Sequence, residues 1–409
     1  MKKLAIEGGE PVRRTPYLSW PYFDDREKEA LLRVLESGQW WRMANNEVDL
    51  FEQEFSHFHQ ANFTLAVSNG THALEVALLA YGIQPGDEVI VPSFTFISTA
   101  MAVQRVGAIP IPVDVNLQDY CIDIACVEKA ITPYTKAIIP VHMAGHVADM
   151  AGLNQLADHY NLIIIQDAAH AHGAIRGGMR LGQWNTTACF SFQNFKLMTA
   201  GEGGAILFSD EALKNKAFII HNCGRPAFDK NYEHQYVGSN YRMNAFSGSI
   251  LRVQLSRLME QNQKRNKNGR LLIEILNRIP GVICQSVSKD MDCHPFYMFL
   301  IRFNTEVLQG FNRDFLVKAL IAEGIPAFIN YKSIYKTSAF HQSPSTGKSE
   351  KYWESQCPNA EKISTEGIWI HHRALLGDEN DTLDIARALQ KILRLQHKLE
   401  VELWEQSLV

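Results

Sequence analysis

Lys196 lies in Ser191-Phe192-Gln193-Asn194-Phe195-Lys196-Leu197-Met198-Thr199-Ala200-Gly201-Glu202-Gly203-Gly204, downstream of a solitary acid in Ile165-Gln166-Asp167-Ala168-Ala169-His170. A lysine amine condenses with aldehydes, but it is neutral at pH 7 only where burial or a nearby cation lowers its pKa. Phe192, Phe195 and Leu197 would supply that apolar setting. Asp167 closes the apolar run Ile163-Ile164-Ile165, where a carboxylate is costly unless paired. A protonated pyridine nitrogen is a suitable partner, and the resulting charge makes the ring an electron sink. An aspartate and a lysine at two such strand ends are what holding pyridoxal phosphate requires. The bland alternatives are a surface lysine in a loop and an acid bonded to backbone. His170, three residues after Asp167, is placed to donate to the cofactor's phenolic oxygen.

Ser68-Asn69-Gly70-Thr71-His72 precedes a helical pattern. Free N–H groups and the positive end of a helix dipole make such a segment a phosphate cradle, although capping alone would explain Thr71. Ser191 can add a hydroxyl to the same phosphate. Phe94 and Phe96, just past the run ending at Val91, are both candidates to lie flat on the ring, with core packing the competing reading for either. Gly201-Glu202-Gly203-Gly204 lacks the spacing of a nucleotide-binding loop and reads as a turn between strands. No metal is called for.

These residues need a scaffold, and the chain from residue 64 onward alternates short apolar runs with helical patterns. Strands are expected at Glu88–Pro92, Ile109–Val115, Lys136–His142, Leu162–Asp167, Ala188–Phe192 and Gly204–Ser209. Helices are expected at Thr71–Tyr81, Ser98–Val106, Asp123–Ile131 and Val147–Tyr160. Nearly all-apolar strands alternating with helices predict an α/β fold: a mostly parallel sheet covered on both faces, with ligands bound beyond the carboxyl ends of its strands. Asp167 is at such an end. An earlier helix, Asp24 to Gly38, carries Leu31, Leu32 and Leu35 on its expected apolar side. A long helix over Asn244–Asn277 is expected to join the large domain to a smaller α/β one, which holds a strand at Tyr297–Phe303 and helices at Arg313–Glu323 and Leu383–Leu399. The organisation expected is an N-terminal arm over 1–20, a large domain over 21–260 and a small C-terminal domain over 261–409.

With 409 residues, 46% hydrophobic and 21% charged, the chain has material for two globular domains. A net charge of -4 and no basic stripe argue against nucleic acid or an anionic membrane as partner. No run reaches the roughly 18 apolar residues of a membrane helix, and the start is not a signal peptide. Seven cysteines without a CxxC pair suggest a reduced cytoplasmic protein, in which the NxT sequons at Asn62 and Asn185 are chance.

Taken together, these motifs resemble the DegT/DnrJ/EryC1/StrS family of pyridoxal-phosphate sugar aminotransferases, within fold type I. The resemblance runs from about residue 20 to 255 and more loosely beyond. Inside the family it is strongest toward the 3-amino-5-hydroxybenzoate synthase branch. It is carried by Gly38-Gln39-Trp40-Trp41-Arg42-Met43, Asn69 to Glu75, Phe94 to Ser98 and His142-Met143-Ala144-Gly145, and further by Asp167 to Ala174, Ser191 to Gly204 and Trp369 to Arg373. The resemblance implies Lys196 as the imine lysine, Asp167 as partner of the ring nitrogen, and His170 beside the phenolic oxygen. It implies Phe96 rather than Phe94 as the stacking aromatic, with Gly70, Thr71 and Ser191 on the phosphate. Asn240 matches a residue that relatives extend to the neighbouring subunit's phosphate, which implies a homodimer with shared active sites. Trp41, Arg42, Tyr241, Tyr331 and His371 are the substrate-contact candidates. Two positions depart from the pattern: Phe195 where the synthase branch has Gly, and Ala245 where relatives usually have Glu.

The implied activity is dehydration and aromatisation of an amino-shikimate-type substrate in secondary metabolism. The alternative is transfer of nitrogen from glutamate or glutamine to a keto-sugar, nucleotide-linked or not, or to a keto-cyclitol. A third reading is a non-catalytic relative that keeps the fold.

Overall fold

The computed structural model describes residues 3–227, 230–342 and 344–397. Its centre is a seven-stranded sheet. Five of these strands are β1 (Phe63–Val67), β2 (Glu88–Pro92), β3 (Ile109–Val113), β4 (Thr135–Ile138) and β5 (Ile163–Asp167). After a small hairpin of β6 (Ile175–Arg176) and β7 (Met179–Arg180), β8 (Thr187–Ser191) and β9 (Gly204–Phe208) complete it. The order is β1-β9-β8-β5-β4-β2-β3, with β9 alone running against its neighbours β1 and β8. The sheet is therefore mostly parallel, as its largely apolar strands predict. β9 reverses because the loop before it carries Lys196 and turns straight back, with no helix to cross over. The Gly-rich stretch at 201–204 closes that turn and opens β9.

Helices α1 (Asp25–Ser37), α2 (Glu47–His59), α3 (Gly70–Tyr81), α4 (Ser98–Arg105), α5 (Ile124–Ala130), α6 (Met150–Tyr160) and α7 (Glu211–His221) belong to the same half of the chain. Asn69, Asp123, Asp149 and Asp210 cap α3, α5, α6 and α7 through their side chains. Helix α1 has the expected ends, an Asp24/Glu27 capping box and Gly38 in left-handed conformation. Its inner face is not the expected one. Glu27, Ala30 and Val34 are buried, while Leu32 and Leu35 are 43% and 51% exposed. The reason is polar: Glu27 points inward to Arg257 Nη1 at 2.5 Å and Gln254 Nε2 at 2.6 Å, and this buried pair sets the helix rotation.

Helix α8 (Ala245–Leu276) runs for 32 residues and carries buried side chains along most of its length. Beyond it come β10 (Val282–Cys284), β11 (Met291–Cys293) and β12 (Met298–Phe303), then α9 (Arg313–Ala322), β13 (Ala327–Ile329), α10 (Glu350–Gln356) and α11 (Pro358–Glu366). The described chain closes with β14 (Gly367–His371) and α12 (Glu379–His397). The end expected for the last helix, Leu399, lies outside the described residues. A second sheet has the order β10-β12-β14-β13 and is antiparallel throughout.

Two apolar cores follow. One gathers Val48 to Leu258 with Tyr297, Met298, Leu300 and residues 334–363; the other gathers Leu272 to Leu393 with Leu4 and Tyr17. Residue 260 falls inside α8, which contributes to both cores, so the chain passes between them without a break in the helix. The N-terminal stretch packs on the second core: Ala5 and Val12 donate their N–H groups to Glu323 at 2.9 Å. Among the described residues no helix is long and apolar enough to cross a membrane.

Candidate active site

The carboxyl ends of β5 and β8 and the N-terminus of α3 open into a cavity of about 600 Å³, closed on its far side by β13 and β14. Gly70, Thr71, Phe96, Asp167, His170, Ser191 and Lys196 all line it.

Asp167 is buried at the end of β5, paired in register with Cys189 of β8. Its Oδ2 accepts from Thr99 Oγ1 at 2.8 Å and its Oδ1 from the Ala169 N–H at 3.2 Å. Burial raises its pKa, and the two hydrogen bonds and the Lys196 charge act in the opposite direction. Lys196 is half-buried, and enclosure lowers its pKa to about 8, with Asp167 opposing. Its Nζ sits 4.4 Å from the centre of the Tyr297 ring. The apolar neighbour of the amine is therefore Tyr297 from the second half of the chain. Phe195, expected to enclose it, is 49% exposed at the cavity mouth. A lysine so placed holds an appreciable neutral fraction near pH 8, the form that attacks carbonyls and takes up protons.

His170 lies flat against Tyr297, centroids 4.4 Å apart at 22°, and burial drives its pKa well below the ordinary value. It is therefore neutral at pH 7, keeping one N–H donor and one acceptor nitrogen. At the opposite wall, Asn69 Oδ1 accepts from the His72 N–H at 2.8 Å, leaving the N–H groups of Gly70 and Thr71 in the first turn of α3, where a helix has no acceptors of its own. A Cβ on Gly70 would stand 2.6 Å from Ser191 Cβ, so glycine alone lets the helix end close on that hydroxyl. Thr71 Oγ1 bonds Ser98 Oγ at 3.0 Å.

The two phenylalanines separate. Phe94 is fully buried, edge-on to Tyr120, and belongs to the core; Phe96 is 53% exposed on the cavity wall. Tyr331 and His371 also reach the cavity. Three substrate candidates do not. Arg42 is buried under α2, where Nη1 meets Glu52 Oε1 at 2.8 Å and Nη2 meets Asp49 Oδ1 at 3.3 Å. Its charge neutralises a buried glutamate, which is a structural task. Tyr241 packs on His72, with its hydroxyl on Glu75 Oε2 at 3.4 Å. Trp41 is exposed, with the Arg242 guanidinium 5.8 Å from its ring. Asn240 is exposed and outside this chain's cavity, and Ala245 is buried at the start of α8 with its N–H on Trp40 O.

Sequence spacing did not single out Thr99, Tyr297, Phe328 or Trp369. The last two stack at 4.5 Å and, with Phe195 and Phe96, make an aromatic rim. Thr99 carries a local signal in hindsight, a hydroxyl in the first turn after Phe96; the others reach the site only through tertiary packing.

The residues fit pyridoxal phosphate. A buried acid faces the cavity, a lysine of lowered pKa stands beside a neutral histidine, and a helix N-terminus closes on a serine that no Cβ would admit. The comparisons agree. Residues 21–390 match the DegT/DnrJ/EryC1/StrS aminotransferase family. The chain is 47% identical over 373 residues, 90% of its length and 95% of the relative's, to 3-amino-5-hydroxybenzoate synthase of Amycolatopsis mediterranei (strain S699). It is 34% identical to L-glutamine:2-deoxy-scyllo-inosose aminotransferase of Micromonospora echinospora, over 98% of this chain and 100% of that one. A crystal structure of 3-amino-5-hydroxybenzoic acid synthase superimposes with a TM-score of 0.88 at 45% identity, covering 93% of this chain and 100% of the other. The chain belongs to this family of pyridoxal-phosphate enzymes and has its fold, fold type I.

Proposed function

We propose, from that membership, that the enzyme dehydrates and aromatises an amino-shikimate-type ring, the reaction that gives 3-amino-5-hydroxybenzoate in secondary metabolism. The observation that carries this reading is the 47% identity to the synthase over nine-tenths of the chain, with Lys196 and Asp167 in one cavity. Pyridoxal phosphate, when bound, supplies an aldehyde that captures an amine and a protonated ring that withdraws electrons from it. Asp167 would hold the ring-nitrogen proton, and the Thr99 hydroxyl favours its charged form. Gly70, Thr71 and Ser191 would receive the phosphate, Phe96 would cover the ring face and His170 would donate to the phenolic oxygen. Lys196 gives the amine for attachment. Its Nζ would move a proton from the substrate carbon to the departing hydroxyl, so that one water leaves.

We further infer a homodimer in which Asn240 serves the other copy's phosphate. The exposed Phe23, Leu32, Leu35 and Trp40 give an apolar surface suited to such contact, and mass measurement in solution tests it. Seven free cysteines suit a reducing, cytoplasmic setting.

Purified holoenzyme given 5-amino-5-deoxy-3-dehydroshikimate should develop an aromatic absorbance with no amino donor present. The cyclitol aminotransferases at about one-third identity support a second reading, transfer of nitrogen from glutamine to a keto-cyclitol. Product formed only with glutamine and a keto-ring would replace the first reading by the second.

A further inference from the structure

Lys196 and His170 share one neighbour. Lys196 Nζ stands 4.4 Å from the centre of the Tyr297 ring, and the His170 imidazole lies nearly parallel to the same ring, centroids 4.4 Å apart at 22°. Directional partners are missing for both. Among the described residues no hydrogen bond reaches Nζ, and His170 Nδ1 is buried without a partner. A second ring parallel to His170, that of Tyr331, is farther away at 6.3 Å. No hydrogen bond reaches the Tyr297 hydroxyl either, so what Tyr297 offers these two groups is its ring.

Tyr297 comes from the second half of the chain and is held firmly. Its N–H donates to Ala144 O at 2.9 Å. Ala144 has φ 58° in His142-Met143-Ala144-Gly145, a stretch that does not itself line the cavity. A Cβ on Gly145 would stand 2.7 Å from Pro295 Cγ and 3.3 Å from His170 O, so this turn touches both the approach to Tyr297 and the backbone of His170. Phe296, just before Tyr297, has φ 47°. That left-handed conformation costs a bulky residue free energy and persists only where the surroundings over-determine it. They do so here. Phe296 is buried, its N–H donates to His294 Nδ1 at 3.1 Å, and a Cβ on Gly269 of α8 would stand 2.5 Å from its ring.

We propose that Tyr297 is a positioning residue whose ring, and not its hydroxyl, sets the place of Lys196 Nζ and the plane of the His170 imidazole before the cofactor arrives. An aromatic face attracts both an ammonium group and a stacked ring, whereas a leucine of similar bulk has no such face. An amine already in place captures an aldehyde faster than one that must search for the attacking geometry.

Proton NMR of the His170 ring in the full chain freed of cofactor, assigned by its loss in His170→Gln, tests the geometry without substrate. Ring current should hold these resonances upfield in wild type and Tyr297→Phe and release them in Tyr297→Leu. Resonances unmoved in Tyr297→Leu overturn the proposal. Capture of pyridoxal phosphate, followed by absorbance and by the borohydride tag on Lys196, should stay within about threefold of wild type in Tyr297→Phe and slow about tenfold or more in Tyr297→Leu. A wild-type rate in Tyr297→Leu overturns the proposal, and so does a Tyr297→Phe as slow as Tyr297→Leu, which would give the role to the hydroxyl. The capture experiment rests on the cofactor assignment; wild-type protein that takes up no pyridoxal phosphate would refute that assignment, and the histidine spectra would still decide on the ring. Should Tyr297→Leu fail to fold, wild-type His170 resonances at the position of a free imidazole overturn the proposal, and upfield ones retained in Tyr297→Phe support it.

Discussion

Thr99→Val tests the chemistry of the site at one atom. The Thr99 hydroxyl donates to Asp167 Oδ2 at 2.8 Å with both residues buried, and valine keeps the shape while removing the donor. A hydrogen bond to a charged group is worth about 1.5–3 kcal/mol. The substitution should therefore raise the Asp167 pKa. The shift adds to the rise that burial already causes. Asp167 is useful only as a carboxylate beside the ring nitrogen, so the acid limb of the kcat profile should move to higher pH. If the whole loss reaches the barrier, kcat falls about ten- to a hundredfold at neutral pH. The assay is kcat against pH for wild type, Thr99→Val and Thr99→Ser, with the absorbance of bound pyridoxal phosphate titrated in parallel without substrate. Serine should restore both. A valine variant with native circular dichroism, wild-type kcat and an unmoved acid limb would refute the idea that this hydroxyl keeps Asp167 charged.

Borohydride reduction of holoenzyme should leave a pyridoxyl tag on Lys196 alone, and Lys196→Ala should lose tag and activity while keeping the fold; a tag elsewhere on peptide mapping contradicts the assignment. Arg42→Met should leave bound-cofactor absorbance intact but strand Glu52, lowering stability in urea by about 3 kcal/mol or more. Acid should destabilise the protein early. Burial holds His142 and His146 down at about 4 and His172, His221 and His371 at about 3, so the unfolded chain binds the extra protons. Their contribution is complete above about pH 6.5 and falls as pH drops toward those values, each histidine costing about 2 kcal/mol at pH 5. Equal urea midpoints at pH 7.5 and pH 5 would show that these rings do not titrate on unfolding.

How much of this could be read in advance depended on whether the signal was local. Asp167 ends a largely apolar strand and Lys196 follows another, so the charged residues there stand out. The parallel sheet followed from the same pattern. Strands such as β10, β11 and β13, three residues each, are too short to show any period, and β13 and β14 supply Phe328, Trp369 and His371 to the cavity rim. Thr99 and Tyr297 act through partners distant in sequence. Hydropathy put the leucines of α1 inside, but a buried pair between Glu27 and Arg257 decided the rotation. Arg42 stood among the substrate-contact candidates, yet its partner is Glu52, which no local pattern announces.

The lysine loop is fastened from both ends of the chain. The Trp20 indole N–H donates to Asn194 O at 3.1 Å, and His372, 177 residues beyond Phe195, donates to the carbonyl next to the lysine. The same histidine packs edge-on against Trp20 at 4.4 Å. A ribosome-bound chain that has emerged only as far as the first sheet would possess the reactive amine and Trp20 but not the His372 clasp, which bonds the loop and packs on Trp20. Vitamin B6 capture should therefore be a late event in biogenesis, and the yellow colour of the bound coenzyme a gauge of how many molecules have finished folding.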